Sequence, residues 1–368
     1  MLPNAPSSPP LSGIRVVEFA GLGPAPYAGM LLADLGADVL RIARPDAPEL
    51  FPVRNAPQDR GRRQILLDLK KAEAIEQGLR IAGKADVLIE GFRPGVMERL
   101  GLGPDVVLGR NPKLIYGRMT GWGQDGPLAN TAGHDLTYLA LTGVLEAIGP
   151  ENGPPVPPLN LVGDMGGGGA FLVIGILSAL LERQRSGLGQ VIDAAIIDGT
   201  VSQLALILGL RAGGLWGGAR GQNILDGGAP FYRTYRCLDG KYVAVAALES
   251  KFFAMLVQGV GLDAAALLPV QWDRARWPAL QSELAATFAT KPRDAWASLF
   301  EKTDACVAPV LSFDEAARHP HNAARSTYAE VDGHLQPPPA PRFSRSPTSL
   351  SSRSDSGEDV LKEWGVEA

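Results

Sequence analysis

Residues 14–42 read IRVVEFAGLGPAPYAGMLLADLGADVLRI. The run from Ile14 to Phe19 is short and rich in β-branched residues, which predicts a buried strand. A helical pattern of apolar residues follows from Ala25 to Leu35, and residues 37–42 predict a second buried strand. Strand, helix and strand in this order form the βαβ unit that opens a parallel, doubly wound sheet. The sequence therefore predicts an α/β fold with a Rossmann-like large domain.

The loop inside this unit, Gly21-Leu-Gly-Pro-Ala-Pro26, begins like a dinucleotide-binding fingerprint but does not complete it. Proline occupies the position of the third glycine, and Ala43 and Arg44 stand about 20 residues on, where an acidic residue would bind a ribose hydroxyl. NAD is therefore not expected as a cofactor. Arg44 suits a phosphorylated ribose instead, although a surface arginine after a strand is an equally ordinary interpretation.

Three further strands are predicted at residues 64–67, 86–90 and 114–118, with helices near 71–83 and 95–109. Cationic side chains follow several of these strands, namely Arg44, Lys70, Arg93 and Arg99. In open α/β sheets, ligands bind outside the carboxyl ends of the strands, so these cations are expected on one rim. Four cations suit a polyanionic ligand, but they would be equally ordinary on a solvated face.

The rest of the chain predicts a second, smaller domain. Residues 196–225 are expected to form a helical linker, and residues 226–329 a small α+β domain. That domain opens with a hairpin over residues 231–249, whose tip Asp239-Gly240 is a strong turn signal, and continues with helices near 250–259, 277–289 and 293–301. The large domain is expected to cover residues 1–195 and to be completed by a C-terminal strap, 330–368, which ends in a short helix.

Composition narrows the functional classes. The chain of 368 residues carries a formal net charge of −4, which argues against nucleic acid or an anionic membrane as the main partner. The longest apolar run, Ala170 to Leu181, is too short for a membrane span of about 20 residues and predicts a buried helix. Cys237 and Cys306 cannot build a disulfide framework, so a reducing, cytoplasmic location is expected. The sequence contains no cluster with metal-ligand spacing, and no metal is expected.

Two residues near the middle of the chain are candidate acid/base groups. Three of the four histidines lie within residues 319–334, whereas His134 stands apart in Gly-His-Asp. Asp164 precedes four glycines and an apolar run, where a ligand could approach backbone N–H groups at the mouth of a helix. Taken singly, His134 is more often a structural histidine and Asp164 a helix N-cap. Taken together, an imidazole and a carboxylate can form a two-base proton-transfer device.

Several longer motifs carry a resemblance to a known family. They are GWGQDGP at 121–127, AGHD at 132–135, PPLNLVGD at 157–164, QVIDAA at 190–195, DGGAPFY at 226–232, DGKYVAV at 239–245 and PAPRFSR at 339–345. Over nearly its whole length, the chain resembles the α-methylacyl-CoA racemases of the family III CoA-transferase superfamily. The resemblance implies an isomerase of branched-chain fatty acyl-CoA metabolism that acts on a CoA thioester without a cofactor. It also implies an interlocked homodimer, in which the small domain of one subunit completes the site of the other.

The resemblance further implies roles for individual residues. His134 and Asp164 would be the two acid/base groups, which remove and return the α-proton on opposite faces of an enolate. Glu249 would hydrogen-bond to His134, across the subunit interface if the dimer is interlocked. The N–H of Asp135 would be the first donor to the enolate oxygen, with the glycines after Asp164 second. The expected contacts of the CoA ester are Arg44, Leu67, Asp68, Lys70, Gly91, Phe92, Arg93, Arg99, Gly133, Asp135 and Tyr138.

Two other functions remain open on the sequence. In a CoA-transferase of the same superfamily, Asp164 would be a nucleophile that forms covalent intermediates, and His134 would not be needed to return a proton. A catalytically silent CoA-binding protein would need the cationic rim but neither of these two residues. The Gly-His-Asp motif together with Glu249 favours the racemase.

Overall fold

The computed structural model describes residues 8–45, 53, 56–350 and 357–366. The strands are β1 Arg15–Phe19, β2 Asp38–Ala43, β3 Arg62–Leu66, β4 Val87–Glu90, β5 Ile115–Thr120, β6 Val191–Ala195, β7 Tyr232–Arg236, β8 Tyr242–Ala246, β9 Val307–Pro309, β10 Ala329–Val331 and β11 His334–Gln336. The helices are α1 Pro24–Asp34, α2 Ala72–Ala82, α3 Val96–Arg99, α4 Pro104–Arg110, α5 Asp135–Thr142, α6 Val144–Ala147, a π-helix Leu161–Ala170, α7 Phe171–Ser186, α8 Ile196–Gln203, α9 Ala205–Ala212, α10 Ser250–Gly259, α11 Ala264–Leu267, α12 Trp277–Phe288, α13 Arg293–Phe300, α14 Phe313–Arg318, α15 Pro320–Ala324 and α16 Glu358–Glu363. Short 3₁₀ helices lie at Pro57–Asp59, Leu268–Val270 and Arg274–Arg276.

The first six strands form a parallel sheet in the order β3-β2-β1-β4-β5-β6. Alternate residues of β1 face opposite sides, because Val17 and Phe19 join one hydrophobic cluster and Val16 joins the other. The sheet is therefore covered on both faces, which confirms the predicted α/β class, and the predicted strands agree with the observed ones to within two residues. The order reverses between β1 and β4, which is where ligands bind in such sheets.

Two elements of this part differ from the sequence prediction. The helix predicted over 95–109 is two helices, α3 and α4, because Gly101 adopts a positive φ of 72° and Pro104 starts a new helix. Strand β6 was not predicted, since Val191 and Asp193 are exposed on it and it lacks a continuous buried run. It lies at the edge of the sheet beside β5.

The described residues fall into two compact units. The first comprises those within Met1–Thr142, Leu159–Gln203 and Ala324–Ala368, and the second those within Gly143–Pro158 and Leu204–Ala323. These bounds differ from the predicted ones, because residues 143–158 group with the smaller unit and the predicted linker is divided between α8 and α9. In the second unit, β7 and β8 form the predicted hairpin with Gly240 at its turn, and β9 adds a third antiparallel strand.

The C-terminal helix α16 belongs to the core of the first unit. Val360 and Trp364 are buried in the same cluster as Leu40 and Leu88. The Trp364 Nε1 donates to Asp38 Oδ2 at 2.6 Å, at the start of β2. The predicted final helix is thus confirmed, whereas residues 351–356 and 367–368 of the predicted strap lie outside the described part of the chain.

The π-helix and α7 form one continuous helical segment, Leu161–Ser186, of 26 residues. This segment is longer than the apolar run Ala170–Leu181, from which a helix too short to span a membrane was predicted. By length and composition it could cross a membrane, but 44% of its most apolar window is buried in the protein, and a core helix of a soluble protein passes the same test. Leu172 and Ile176 pack against Gly117 of β5, whereas Ile174 and Leu181 are exposed. The predicted burial therefore holds for one face of the helix.

Candidate active site

The carboxyl ends of β1, β4 and β5 bring several of the predicted residues together in the first unit. Gly91, just after β4, lies against the first turn of α1 and the end of β5, because a Cβ on it would meet the Ala25 Cβ at 3.4 Å and the Met119 carbonyl oxygen at 3.7 Å. The loop after β1 also reaches Asp164, since a Cβ on Gly23 would lie 3.3 Å from Asp164 Oδ2. The Asp164 carboxyl therefore faces the point where the strand order reverses.

The start of helix α1 in this loop is a poor anion site. Pro24 is its first residue, and Pro26 follows two positions later. Neither proline has an N–H, so two of the donors that a helix N-terminus normally offers are missing. This local structure agrees with the failed dinucleotide fingerprint.

His134 immediately precedes α5 and is exposed. Its backbone is held by Thr137, whose hydroxyl oxygen accepts the His134 N–H at 3.0 Å and whose hydroxyl donates to the His134 carbonyl at 2.7 Å. Within the described residues, no hydrogen bond to the imidazole is present. An exposed imidazole on a fixed backbone is unlike a satisfied core histidine, so the structural interpretation of His134 loses its support.

Asp164 lies inside the π-helix and not at a helix N-cap. Its N–H donates to Asp135 Oδ1 at 2.7 Å, and its carboxyl is half-buried. Burial raises the pKa of this carboxyl most, and the Asp135 carboxylate raises it further. A hydrogen bond from Asn160 and the nearby His134 imidazole lower it, and the resulting pKa is about 6.

This pKa decides what the carboxyl of Asp164 can do. A carboxyl with a pKa of about 6 is protonated in a useful fraction of molecules near neutral pH, so it can act as a general acid as well as a base. The shift also has a consequence for stability. Because the charged form is disfavoured in the folded chain, the contribution of Asp164 to stability falls as pH rises from its ordinary pKa of 3.8 through about 6.

The glycines after Asp164 serve packing and do not expose N–H groups to a ligand as the sequence suggested. A Cβ on Gly167 would lie 2.4 Å from the Thr200 hydroxyl oxygen of α8, and one on Gly169 would lie 2.7 Å from a ring carbon of Tyr27 in α1. Gly167, Gly168 and Gly169 are all buried. Because these residues have no side chains, α1 and α8 can pack closely against the π-helix. Of the two candidate donors to the enolate oxygen, the Asp135 N–H is therefore the stronger.

Tyr138 of α5 interacts electrostatically with Asp164 and with Arg93, one of the predicted cations. The Tyr138 ring packs against two glycines: a Cβ on Gly121 would lie 2.0 Å from a ring carbon, and one on Gly133 would lie 2.5 Å from a ring carbon. The Trp122 ring packs edge-on against it, with 4.7 Å between the ring centroids. The pKa of Tyr138 is raised by burial and by the Asp164 carboxylate and lowered by Arg93. The Tyr138 hydroxyl is therefore near both Asp164 and Arg93.

The four predicted cations are all exposed and follow β2, β3 and β4 in the chain: Arg44, Lys70, Arg93 and Arg99. Among the described residues, none of them takes part in an ion pair. Gly91 is exposed beside Arg93. The predicted contacts Leu67 and Asp68 are placed differently, because Leu67 is a core residue and Asp68 Oδ1 accepts the Lys70 N–H at 3.2 Å. Leu67 can thus reach a ligand only through its backbone.

A partly buried charge network, which was not predicted from the sequence, anchors the loop that carries Arg93. The Glu90 carboxylate, at the end of β4, accepts the Phe92 N–H at 2.7 Å and the Arg118 Nε–H at 3.2 Å. Arg118 also pairs with Glu98 of α3 at 2.9 Å. Burial raises the pKa of Glu90 to about 7, against the effects of the Phe92 N–H and Arg118. The only signal in the sequence was two acidic residues bracketing a Gly-Phe-Arg-Pro turn.

Glu249 belongs to the second unit, where it is exposed and occupies the N-cap position of α10. Burial raises the pKa of the nearby Cys306 thiol most, and the Glu249 carboxylate raises it further.

Metal ligands were not predicted from the sequence. Within the described ranges, no group of three or more His, Cys, Asp or Glu residues is arranged to hold a metal ion.

Known proteins are similar to this chain in sequence and in fold. The profile described as CoA-transferase family III matches residues 11–357. The chain belongs to this family. It is 47% identical to the alpha-methylacyl-CoA racemase of Mus musculus and 43% identical to that of Homo sapiens, in each case over 96% of the chain and 93% of the relative. The crystal structure of a CAIB/BAIF family protein from Brucella suis superposes with a TM-score of 0.81 at 28% identity, over 97% of this family III chain and 100% of that one.

Proposed function

We propose that this family III protein is a racemase that interconverts (R)- and (S)-2-methylacyl-CoA thioesters. The identity to two enzymes named alpha-methylacyl-CoA racemase, over nearly the full length of each, supports the assignment. The observation that carries it is the pairing of His134 with Asp164. His134 directly precedes Asp135, whose Oδ1 accepts the Asp164 N–H at 2.7 Å, and the Asp164 carboxyl has a pKa of about 6.

The mechanism follows from the chemistry of the substrate. The α-proton of a thioester is weakly acidic, and its removal gives a planar enolate. One group cannot reach both faces of that plane, so inversion needs two acid/base groups. For one enantiomer, neutral His134 takes the proton and protonated Asp164 returns one to the opposite face. For the other enantiomer, the two residues exchange roles.

The enolate oxygen needs a hydrogen-bond donor during this step. The Asp135 N–H is our choice, because it belongs to the first residue of α5 and has no backbone acceptor within the helix. The partial positive charge at a helix N-terminus adds to its effect. The exposed cations of the rim would bind the phosphates of CoA.

Deuterium labelling of the wild-type protein tests the function. A single 2-methylacyl-CoA enantiomer is incubated in deuterated water with EDTA and without nicotinamide or any free carboxylic acid. We expect the other enantiomer to accumulate with deuterium at the α-carbon, because proton transfer needs no metal, hydride or acceptor acid. CoA exchange that occurs only when a free acid is added would instead identify a CoA-transferase.

The proposal extends to Glu249 and to an interlocked homodimer. We propose that Glu249 of one subunit hydrogen-bonds to His134 of the other, which would fix the tautomer of the imidazole and raise its basicity. Heterodimers of His134→Ala and Glu249→Gln subunits test this arrangement. If the pair acts across subunits, each heterodimer contains one wild-type site and regains activity. If both residues act within one subunit, no wild-type site exists and activity does not exceed that of the Glu249→Gln homodimer.

Replacement of Arg44 tests the cationic rim. Arg44→Ala should weaken binding of a CoA ester by about 1.5–3 kcal/mol, the usual contribution of a hydrogen bond to a charged group, with little change in kcat. Isothermal titration with CoA and dephospho-CoA measures the effect, and only wild type should distinguish the two ligands. Lys84→Ala is the matched control, because Lys84 is exposed near the amino end of β4. Equal binding of both ligands by wild type would remove Arg44 from the site of the 3′-phosphate.

A further inference from the structure

We propose that the side chain of Asp135 is a positioning group that holds Asp164 at a set place relative to His134. This inference rests on the proposed racemase function, in which the backbone N–H of Asp135 has a separate task. Asp135 Oδ1 accepts the Asp164 N–H at 2.7 Å. The side chain of Asp135 therefore binds the backbone of the second acid/base residue, and the adjacent Gly163 N–H helps to lower the pKa of the Asp135 carboxyl, which burial raises.

The π-helix explains why the Asp164 N–H needs an external acceptor. In a π-helix each N–H bonds to the carbonyl five residues earlier, and here Met165 donates to the Asn160 carbonyl at 3.1 Å. The N–H groups that precede Met165 come before the first such bond and lack an acceptor within the helix. The Asp135 carboxylate accepts the Asp164 N–H, so it caps the π-helix from another element.

Gly163 is required for this contact. A Cβ at position 163 would lie 2.3 Å from Asp135 Oδ1, and Gly163 is itself buried. Any side chain there would push the carboxylate away from the backbone. The glycine in Leu-Val-Gly-Asp is therefore explained by the approach of Asp135, and not by a ligand.

The contact links the two acid/base groups by a short path. His134 is the residue before Asp135, and its backbone is fixed on α5 through Thr137. The Asp135 carboxylate then binds the backbone of Asp164 itself. The path from one acid/base residue to the other thus runs through one peptide bond and one hydrogen bond.

The charge of Asp135 has a second effect on Asp164. After burial, the Asp135 carboxylate is the largest cause of the raised pKa of Asp164. The other groups that face this carboxyl are His134 just before α5, Tyr138 of α5, Asn160 before the π-helix and the uncharged Gly23 after β1, and Arg93 acts electrostatically on Tyr138. A neutral residue at position 135 would remove the one carboxylate among these neighbours.

Two variants separate positioning from charge. Asp135→Asn keeps an acceptor oxygen but loses the charge, so inversion should persist while the acid limb of the pH–rate profile moves to lower pH. Asp135→Ala loses the acceptor as well, and a displacement of about 1 Å at Asp164 would cost on the order of 100-fold in kcat. Deuterium exchange should decline less than inversion in this variant, because His134 can return a deuteron to the same face. Asp105→Ala, in the first turn of α4, is the control.

A second readout does not depend on racemase activity. The Asp164 carboxyl is titrated by carbon NMR in wild type and in both variants, and CoA binding and thermal unfolding report on folding. We expect Asp135→Asn to lower the pKa of Asp164 in a folded, CoA-binding protein. The proposal is overturned if the Asn and Ala variants behave alike, or if Asp135→Ala keeps the wild-type ratio of inversion to exchange. If wild type shows no inversion but the NMR shift occurs, the proposed function fails while the electrostatic part of the inference stands.

Discussion

His134→Ala and Asp164→Asn are each expected to abolish racemisation while leaving slow deuterium exchange into one enantiomer. Every inversion uses both groups, because one removes the proton and the other returns it on the opposite face. A single remaining group can still remove a proton and return a deuteron to the same face. His134→Ala should therefore label only the enantiomer whose α-proton faces Asp164, and Asp164→Asn only the other.

Mass spectrometry on each pure enantiomer with each variant measures this outcome. A positioned acid or base contributes about 10²–10⁴-fold to such a reaction, so inversion should fall by at least that factor. His321→Ala is the matched control, because His321 is exposed on α15, where no catalytic residue is proposed. Equal residual exchange into both enantiomers by either variant would refute the two-face assignment. Loss of a covalent intermediate in Asp164→Asn, with His134→Ala nearly unaffected, would point to the transferase mechanism.

Gly199→Ala is expected to destabilise the first unit strongly and to disturb Asp164 as well. A Cβ at position 199 in α8 would lie 1.9 Å from the Gly167 carbonyl oxygen and 2.8 Å from its carbonyl carbon. Both atoms are backbone, so no side chain can rotate away, and α8 must separate from the π-helix. Overpacking of this kind costs about 1–3 kcal/mol of unfolding free energy, and the displaced π-helix carries Asp164, one of the two proposed acid/base groups.

Gly109→Ala is the matched control, since Gly109 is a helical glycine of α4 and a Cβ on it would have nothing within 4 Å. Alanine there should stabilise the protein by about 0.4–1 kcal/mol, because it restricts the unfolded chain without a clash. Urea denaturation and initial rates of deuterium exchange measure both effects. A Gly199→Ala protein with wild-type stability and activity would contradict the close crossing of these two helices.

Much of the sheet could be predicted from the sequence because its strands are buried on both faces. Val16 and the pair Val17 and Phe19 are apolar residues buried on opposite faces of β1, as in a central strand, and the helix after them has its own apolar pattern. The edge strand β6 was not predicted, because Val191 and Asp193 are exposed and the strand has no continuous run of buried apolar residues. The pairing of His134 with Asp164 as acid/base groups stays a prediction, which the sequence made because each residue stands in a distinctive short motif.

The sequence by itself determined the α/β class, the hairpin of the second unit, the failed dinucleotide loop and the candidate acid/base residues, since each depends on local residue types and spacing. Only the tertiary structure decided that the glycines after Asp164 pack against α1 and α8 and that Asp164 lies within a π-helix. It also placed the Asp135 carboxylate on the backbone of Asp164 and formed the network of Glu90, Arg118 and Glu98. These features depend on contacts between segments far apart in the chain, and a local pattern carries no information about which distant backbone will approach it.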